Sequence, residues 1–179
     1  NVTISDLTDN AGEALTSGVD TLRIYLNVIN SPASGAEYFI IQPENNSSIY
    51  NTYSVPMLTD ATTGDVFLYD KLAPSITETN LQENNNVSFT TSERLYKTNL
   101  SDEVDEENFL FDLDNSPLGS NADDITINSV TTPDASSAVY LYTLNLNIFP
   151  LPSGVETVYF YSNQIEAIYD SSGNELVDS

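Results

Sequence analysis

The feature that most restricts the fold of this chain is a series of short segments in which apolar and polar residues alternate with a period of two. β-branched and aromatic residues dominate these segments, as is typical of strands. Clusters of Asn, Asp, Ser, Gly and Pro separate them and favour turns. The predicted strands are residues 1–7, 22–29, 37–41, 65–70, 76–81, 86–92, 108–113, 124–130, 138–149 and 156–162.

No helical pattern in the chain is long enough to connect parallel strands. The spacing therefore predicts an all-β fold, an antiparallel β-sandwich. The most helix-like stretch is residues 100–109, where Ser101 is a candidate N-cap and acidic residues would occupy the first turn. We expect only a short turn or a one-turn helix there, and no helix longer than two turns.

The residue types that are missing exclude several kinds of chemistry. The 179 residues include no cysteine and no histidine. Zinc sites made of Cys and His, thiol nucleophiles and histidine-based catalytic triads are therefore excluded. Carboxylates are the only plausible catalytic groups, and the dense acidic run at 102–107 favours a solvated connection over an active site. The sequence predicts a protein that is not an enzyme.

Charge is the strongest compositional signal. Asp and Glu number 27 against four Lys and Arg, which gives a formal net charge of −23. Such a surface repels nucleic acid and anionic membranes, so neither is expected as a partner, and no apolar run is long enough for insertion into a membrane. Because 40% of the residues are hydrophobic, we expect a folded protein whose charge is screened by salt or by bound calcium.

One short phrase recurs along the chain. It reads "DNAGEAL" at 9–15, "IYNTYSVPM" at 49–57 and "IYDSSGNEL" at 168–176. The similarity extends over 19–57 and 138–176, an offset of about 119 residues, with "LNV" at 26–28 placed on "LNL" at 144–146. We expect Gly173 to adopt a positive φ. Since Asn51 and Ser54 replace Asp170 and Gly173 in the first copy, that loop is expected to turn differently.

The repeat also predicts how the chain is divided. Residues 1–71 would be the rear part of one module and incomplete, and residues 72–179 would be a second module that lacks its last strand. An incomplete sandwich leaves a sheet edge and part of its core open. Residues 19–71 are therefore expected to pack against strands from outside the chain, supplied by neighbouring modules of the same protein or by neighbouring subunits.

Three phrases give the chain a family resemblance. "PSI" at 74–76, "FTTSERLY" at 89–96 and "YDSSGNEL" at 169–176 resemble the tandem immunoglobulin-like repeat modules of large bacterial extracellular surface and adhesin proteins. Residues 89–96 depart from the family phrase by two inserted residues. The resemblance covers most of 72–179, with its rear half again in 19–71, and implies antiparallel immunoglobulin-like β-sandwich modules in tandem at the cell surface.

Clustered oxygen ligands make calcium the candidate cofactor, because hard cations bind carboxylate, amide and main-chain oxygens. No EF-hand spacing is present, and ordinary Asx turns are the alternative explanation of the same residues. The candidate metal ligands are Asp6, Asp9, Asp112, Asp114 and Asp170.

Three functions follow from these observations. The first is a non-catalytic structural or adhesive segment of a long extracellular surface protein. The second is a subunit of a surface layer or polymeric filament, completed by strands from neighbouring chains. The third is a glycan-binding module that uses some of the eleven tyrosines. However, two pairs of tyrosines are spaced two residues apart, so that both members of a pair lie on the same face of a strand: Tyr140 with Tyr142, and Tyr159 with Tyr161. This spacing favours packing inside a sandwich layer.

Overall fold

The computed structural model describes residues 2–29, 31–82, 85–163 and 167–177. The chain divides into two compact units, Asn1–Leu72 (unit 1) and Ala73–Ser179 (unit 2). The described residues contain antiparallel strands and no α-helix, so the predicted all-β class is confirmed. The helix-like stretch contains a single 3-10 turn at Glu106–Asn108, which is capped by Asp105 rather than by Ser101.

Unit 1 consists of two separate antiparallel pairs of strands. Strands β1 (Val2–Thr8) and β2 (Arg23–Val28) form one pair, and β3 (Tyr38–Phe39) and β4 (Val66–Phe67) form the other. The second pair is shorter than the predicted 37–41 and 65–70. Beyond this ladder, the N–H of Ile41 donates to the side chain of Thr63, while the N–H of Thr63 donates to the carbonyl of Ile41.

Unit 2 contains a four-stranded and a two-stranded antiparallel sheet. The larger sheet has the order β5-β6-β9-β8 and the smaller sheet pairs β10 with β7. The strands are β5 (Ile76–Gln82), β6 (Asn86–Thr91), β7 (Phe109–Asp114), β8 (Asp124–Thr131), β9 (Tyr140–Phe149) and β10 (Thr157–Ser162). Each lies within two residues of a predicted strand, since the alternation marks the segment over which side chains point in turn to the two faces of a sheet.

The hydrophobic core of unit 2 lies between these two sheets. On β9 the fully buried side chains are Tyr142, Leu144 and Leu146, at every second position. The ring of Phe89 on β6 stacks on Tyr142 at 5.2 Å and lies 5.2 Å from Phe160 on β10. Burying each side chain of this size contributes about 1.5–3 kcal/mol, so contacts between the sheets stabilise the unit.

One pair of tyrosines is placed differently from the prediction. Tyr142 is buried and Tyr140 half-buried, as expected, but Tyr159 and Tyr161 are exposed. The prediction for this second pair was wrong because Phe160, with Val158, occupies the inner face of β10. A spacing of two residues shows that two side chains share a face of the strand, but it does not show which face is buried.

A shared β-bulge relates the two units. Residues 3–8 read "TISDLT" and residues 126–131 read "TINSVT". The register shifts between Ile4 and Asp6 in β1, and between Ile127 and Ser129 in β8. Leu26 lies opposite Ile4, and Leu146 lies opposite Ile127.

When the two units are aligned by this bulge, Leu26 of unit 1 is equivalent to Leu146 of unit 2. The alignment predicted from the sequence, which placed 26–28 on 144–146, was therefore wrong by two residues. A shift of two residues keeps every side chain on the same face, so the hydrophobic pattern could not reveal the error.

Candidate functional site

The closing loop of unit 2 is organised around the buried carboxylate of Asp170. Its Oδ1 accepts hydrogen bonds from the N–H of Ser172 at 2.7 Å and of Asn174 at 2.9 Å. Its Oδ2 accepts one from the side-chain amide of Asn174 at 2.8 Å. Gly173 has a φ of 86°, which confirms the predicted positive value. The backbone of Asp170 closes the loop by donating to the carbonyl of Asn174.

The same loop, which we call the Asx loop, occurs at all three copies of the recurrent phrase. In the copy at 49–57, the Oδ1 of Asn51 accepts from the N–H of Tyr53 and Val55, and Ser54 has a φ of 58°. The expectation that this loop turns differently was therefore wrong. An Asn side chain presents the same acceptor as Asp, and the small Ser tolerates the left-handed conformation that glycine adopts more easily.

The Asx loop at the start of the chain completes the set. The Oδ1 of Asp9 accepts from the N–H of Ala11 and Glu13, and Gly12 has a φ of 88°. In each loop the third residue after the acidic or amide residue has a positive φ. The repeated phrase therefore encodes one specific turn.

A second carboxylate approaches Asp170. An oxygen of Glu93 lies within 4.8 Å of an oxygen of Asp170, and Glu93 is only half-buried. Two carboxylates at this separation can hold one divalent cation if main-chain or water oxygens complete its coordination. Sequence reasoning proposed Asp170 and missed Glu93. The only available signal was the position of Glu93 within "FTTSERLY".

The other four candidate metal ligands do not belong to this pair. Asp6 accepts from the N–H of Leu7, and Asp9 accepts within its Asx loop. Asp112 lies opposite Tyr159 and Asp114 opposite Thr157 in the β7–β10 ladder. None of the four belongs to a group of three or more acidic ligands within the described ranges of the chain.

A carboxylate also holds the loop before β10 in unit 2. The oxygens of Glu156 accept from the N–H groups of Asn121, Ala122, Ser153, Gly154 and Val155 at 2.6–3.1 Å. The bond from Asn121, with the others, holds the pKa of this carboxyl well below its usual range. Glu37 accepts from Ser34 in the same way, and its pKa is also lowered. Both sites follow a Ser-Gly pair, "SGAE" and "SGVE".

An apolar groove opens on one side of unit 2, between the edge strand of each sheet. Its volume is about 340 Å³. We call it the edge groove. It is lined by side chains that include Leu81, Val87, Leu146, Ile148, Val158 and Phe160. Leu81 on β5 is 63% exposed, so the groove is a surface where apolar side chains meet solvent.

Unit 1 exposes residues whose counterparts in unit 2 are better buried. Through the shared bulge, Ile4 corresponds to Ile127 and Leu26 to Leu146. Ile4 is 62% exposed while Ile127 is half-buried, and Leu26 is half-buried while Leu146 is fully buried. In the described part of unit 1 the buried residues are Thr8, Ala33 and Pro43, none of them a large aliphatic or aromatic residue. Every residue of the main hydrophobic cluster belongs to unit 2.

Neither a membrane-spanning helix nor a known relative is found for the part of the chain that the structure describes. In the described residues, no helix is long and apolar enough to cross a membrane. Comparisons with protein-family models, with characterised proteins and with solved structures find no match for this chain. The geometry described above is therefore the basis on which a function is proposed.

Proposed function

We propose that this chain is a non-catalytic structural or adhesive segment of a long extracellular surface protein built from tandem immunoglobulin-like modules. The observation that carries the proposal is the repetition of whole structural parts: the bulged hairpin, the Ser-Gly-x-Glu loop and the Asx loop recur in the same order in both units. Proteins that repeat one supersecondary unit in series commonly use it to build length or extended surfaces.

The strand order of unit 2 supports the immunoglobulin-like part of the proposal. Constant-type immunoglobulin domains pair strands A, B, E and D in one sheet and C, F and G in the other. If β5 to β10 are taken in chain order as A, B, C, D, E and F, the observed orders β5-β6-β9-β8 and β10-β7 become A-B-E-D and F-C. These orders correspond to the two sheets of that fold.

The same correspondence supports the proposed division of the chain. In unit 1, β1 and β2 correspond to D and E because they share the bulge of β8 and β9, and β3 corresponds to F. Strand β4 then corresponds to G, which has no counterpart in the described residues of unit 2. We propose on this basis that residues 1–71 are the rear part of one module and residues 72–179 a second module without its last strand.

Surface location is the most direct test of the proposal. Antibodies raised against the purified chain should label intact cells of the source organism, and mild protease treatment of those cells should remove the label. Peptide mapping of the labelled protein should find further copies of the module. Labelling that appears only after the cells are permeabilised would contradict the proposal.

A second candidate is a subunit of a surface layer or filament, in which strands of neighbouring chains complete each module. The exposed apolar residues of unit 1 favour it, because they require a covering layer that the described residues of unit 1 do not provide. Residues 19–71 expressed alone should then bind a hydrophobic dye or aggregate. A monomeric fragment that unfolds cooperatively would contradict this candidate.

A glycan-binding module is the third candidate. Tyr159 and Tyr161 are exposed on the outer face of β10, and Asp112 lies opposite Tyr159 on β7. Exposed aromatic rings next to a hydrogen-bonding carboxylate can stack on sugar rings and fix their hydroxyl groups. A glycan array tests this candidate. Binding that Tyr159→Ala removes would support it, and an array without signal would exclude it for the sugars present.

A further inference from the structure

We propose that the edge groove of unit 2 binds an extended polypeptide segment that adds to β10 as an antiparallel strand. The occupant would carry inward-facing aliphatic residues at alternate positions, as β4 does. This inference rests on the proposed correspondence between the units, and it names the chemistry of a partner for the site described above. Strand addition of this kind obtains affinity from main-chain hydrogen bonds and selectivity from alternating side chains.

Unit 1 contains a strand beside its counterpart of β10. Residues 38–39 and 159–160 both read "YF". In both strands the tyrosine is 55% exposed and the phenylalanine is half-buried. In unit 1 this dipeptide pairs with β4, with Tyr38 opposite Phe67 and Phe39 opposite Val66. The rings of Tyr38 and Phe67 lie 5.7 Å apart.

The pairing of β10 favours an added strand at its other edge. Among the described residues, β10 is hydrogen-bonded to one neighbouring strand, β7. A strand with one neighbour presents a row of main-chain groups to solvent at its other edge. The edge groove begins along this strand, since Val158 and Phe160 line it together with Leu81 on β5. An added strand would therefore find both main-chain partners and an apolar surface in one place.

The residues of β4 and its flanks alternate between half-buried and exposed side chains. Val66 and Leu68 are half-buried, whereas Phe67 and Tyr69 are exposed. A segment with this alternation that lay antiparallel to β10 would direct two aliphatic side chains toward the groove and two aromatic rings outward. By analogy with unit 1, the counterpart of Val66 would lie opposite Phe160, and the counterpart of Phe67 opposite Tyr159.

A labelled peptide of residues 64–71 added to the full chain tests the proposal. We expect saturable binding by fluorescence anisotropy at moderate salt, where repulsion between the acidic partners is screened. A peptide with Val66→Asp and Leu68→Asp should bind at least about tenfold more weakly, because both charges would enter the apolar groove. No binding of the unmodified peptide up to about 1 mM would overturn the proposal.

Two chain variants locate the binding. Leu81→Asp alters an exposed residue of the groove and should weaken binding at least about tenfold without unfolding the chain. Leu141→Asp alters an exposed leucine on β9 that does not line the groove and is the matched control, for which binding should be unchanged. Equal binding by the chain and by Leu81→Asp would overturn the proposal. Circular dichroism of each variant shows that it is folded.

Hydrogen exchange separates the remaining outcomes. Bound peptide should protect amides within residues 157–161, whereas protection confined to residues 38–39 would mean that the peptide replaces β4 in unit 1, which overturns the proposal. If the chain dimerises through the edge groove and the peptide does not compete, a second copy occupies it and the proposal is wrong. Neither result changes the surface labelling that tests the proposed function.

Discussion

The N–H of Leu95 donates a 2.7 Å hydrogen bond to the phenolic oxygen of Tyr142, and both residues are fully buried. Tyr142 belongs to β9, while Leu95 lies in the connection that follows β6. The bond joins a strand of the larger sheet to an irregular segment. Because Leu95 is buried, its N–H could not bond to water if Tyr142 did not accept from it. Loss of this bond is therefore expected to lower the free energy of unfolding by more than the loss of an exposed hydrogen bond would.

Replacement of Tyr142 by Phe should lower the free energy of unfolding by about 1–3 kcal/mol, because the ring still packs on Phe89 while the Leu95 N–H loses its acceptor. Urea unfolding measures this difference. Tyr159→Phe is the matched control, since Tyr159 is exposed, and it should change stability by less than about 0.5 kcal/mol. Equal stability of Tyr142→Phe and the original chain would contradict the role assigned to this bond.

The same tyrosine predicts a loss of stability at high pH. Burial raises the pKa of Tyr142 from its ordinary value of 10.0 to about 12. Between these values the unfolded chain has released the proton and the folded chain still holds it, so stability falls as pH rises from about 10 to about 12. The contribution is fully present below about pH 10. Unfolding free energies measured across this range should fall less steeply for Tyr142→Phe than for the original chain.

Removal of the Asp170 side chain should destabilise unit 2. Asp170→Ala leaves the N–H groups of the half-buried Ser172 and Asn174 without their acceptor, and we expect a loss of about 2–4 kcal/mol. Asp170→Asn should cost much less, because Asn51 accepts the equivalent bonds in its own loop. Urea unfolding compares the two variants. A larger loss for Asn than for Ala would contradict this account.

Backbone strain at one position of the Asx loop gives a pair of opposite predictions. Gly173→Ala places a Cβ at a φ of 86° and should destabilise unit 2 by about 1–2 kcal/mol. Ser54→Gly removes a Cβ at a φ of 58° and should stabilise unit 1 by less than about 1 kcal/mol, because the freedom of glycine in the unfolded chain offsets part of the relieved strain. Thermal unfolding measures both. Gly173→Ala without effect would show that the loop relaxes.

Calcium binding stays a prediction, and Asp170 with Glu93 is where we would test it. If the pair binds Ca²⁺, a concentration about one hundred times the dissociation constant should stabilise the chain by about 2.7 kcal/mol. Asp170→Asn with Glu93→Gln should abolish this increment. Sodium chloride at equal ionic strength is the control for simple screening of the charge of −23. Thermal unfolding that is the same in chelator and in calcium would contradict the prediction.

Much of the local structure could be predicted from the sequence. Alternation located the strands, and the Asn, Asp, Ser and Gly clusters located the turns, because both signals act over a few neighbouring residues. The positive φ of Gly173 was predicted for the same reason. The similar turn at Ser54 was not predicted. A usable signal was present, because the Asn51 side chain of that loop offers the same acceptor oxygen as an Asp.

The candidate sites were harder to predict, because their parts are distant in the chain. Glu93 and Asp170 come together only when the connection after β6 meets the closing loop, which the backbone bonds between Tyr96 and Tyr169 hold in place. The edge groove likewise joins Leu81 to Phe160. No local pattern specifies such a meeting, since many pairings of the same strands would satisfy the same alternation.

The sequence by itself determined the all-β class, the strand positions and the recurrent Asx loop, since each depends on the conformational preferences and hydrogen bonds of adjacent residues. The tertiary structure decided which face of β10 is buried, which register relates Leu26 to Leu146, and where the hydrophobic core lies. The reason is that burial depends on what packs against a strand. Apolar residues of similar pattern therefore form a core in unit 2 and remain exposed in unit 1.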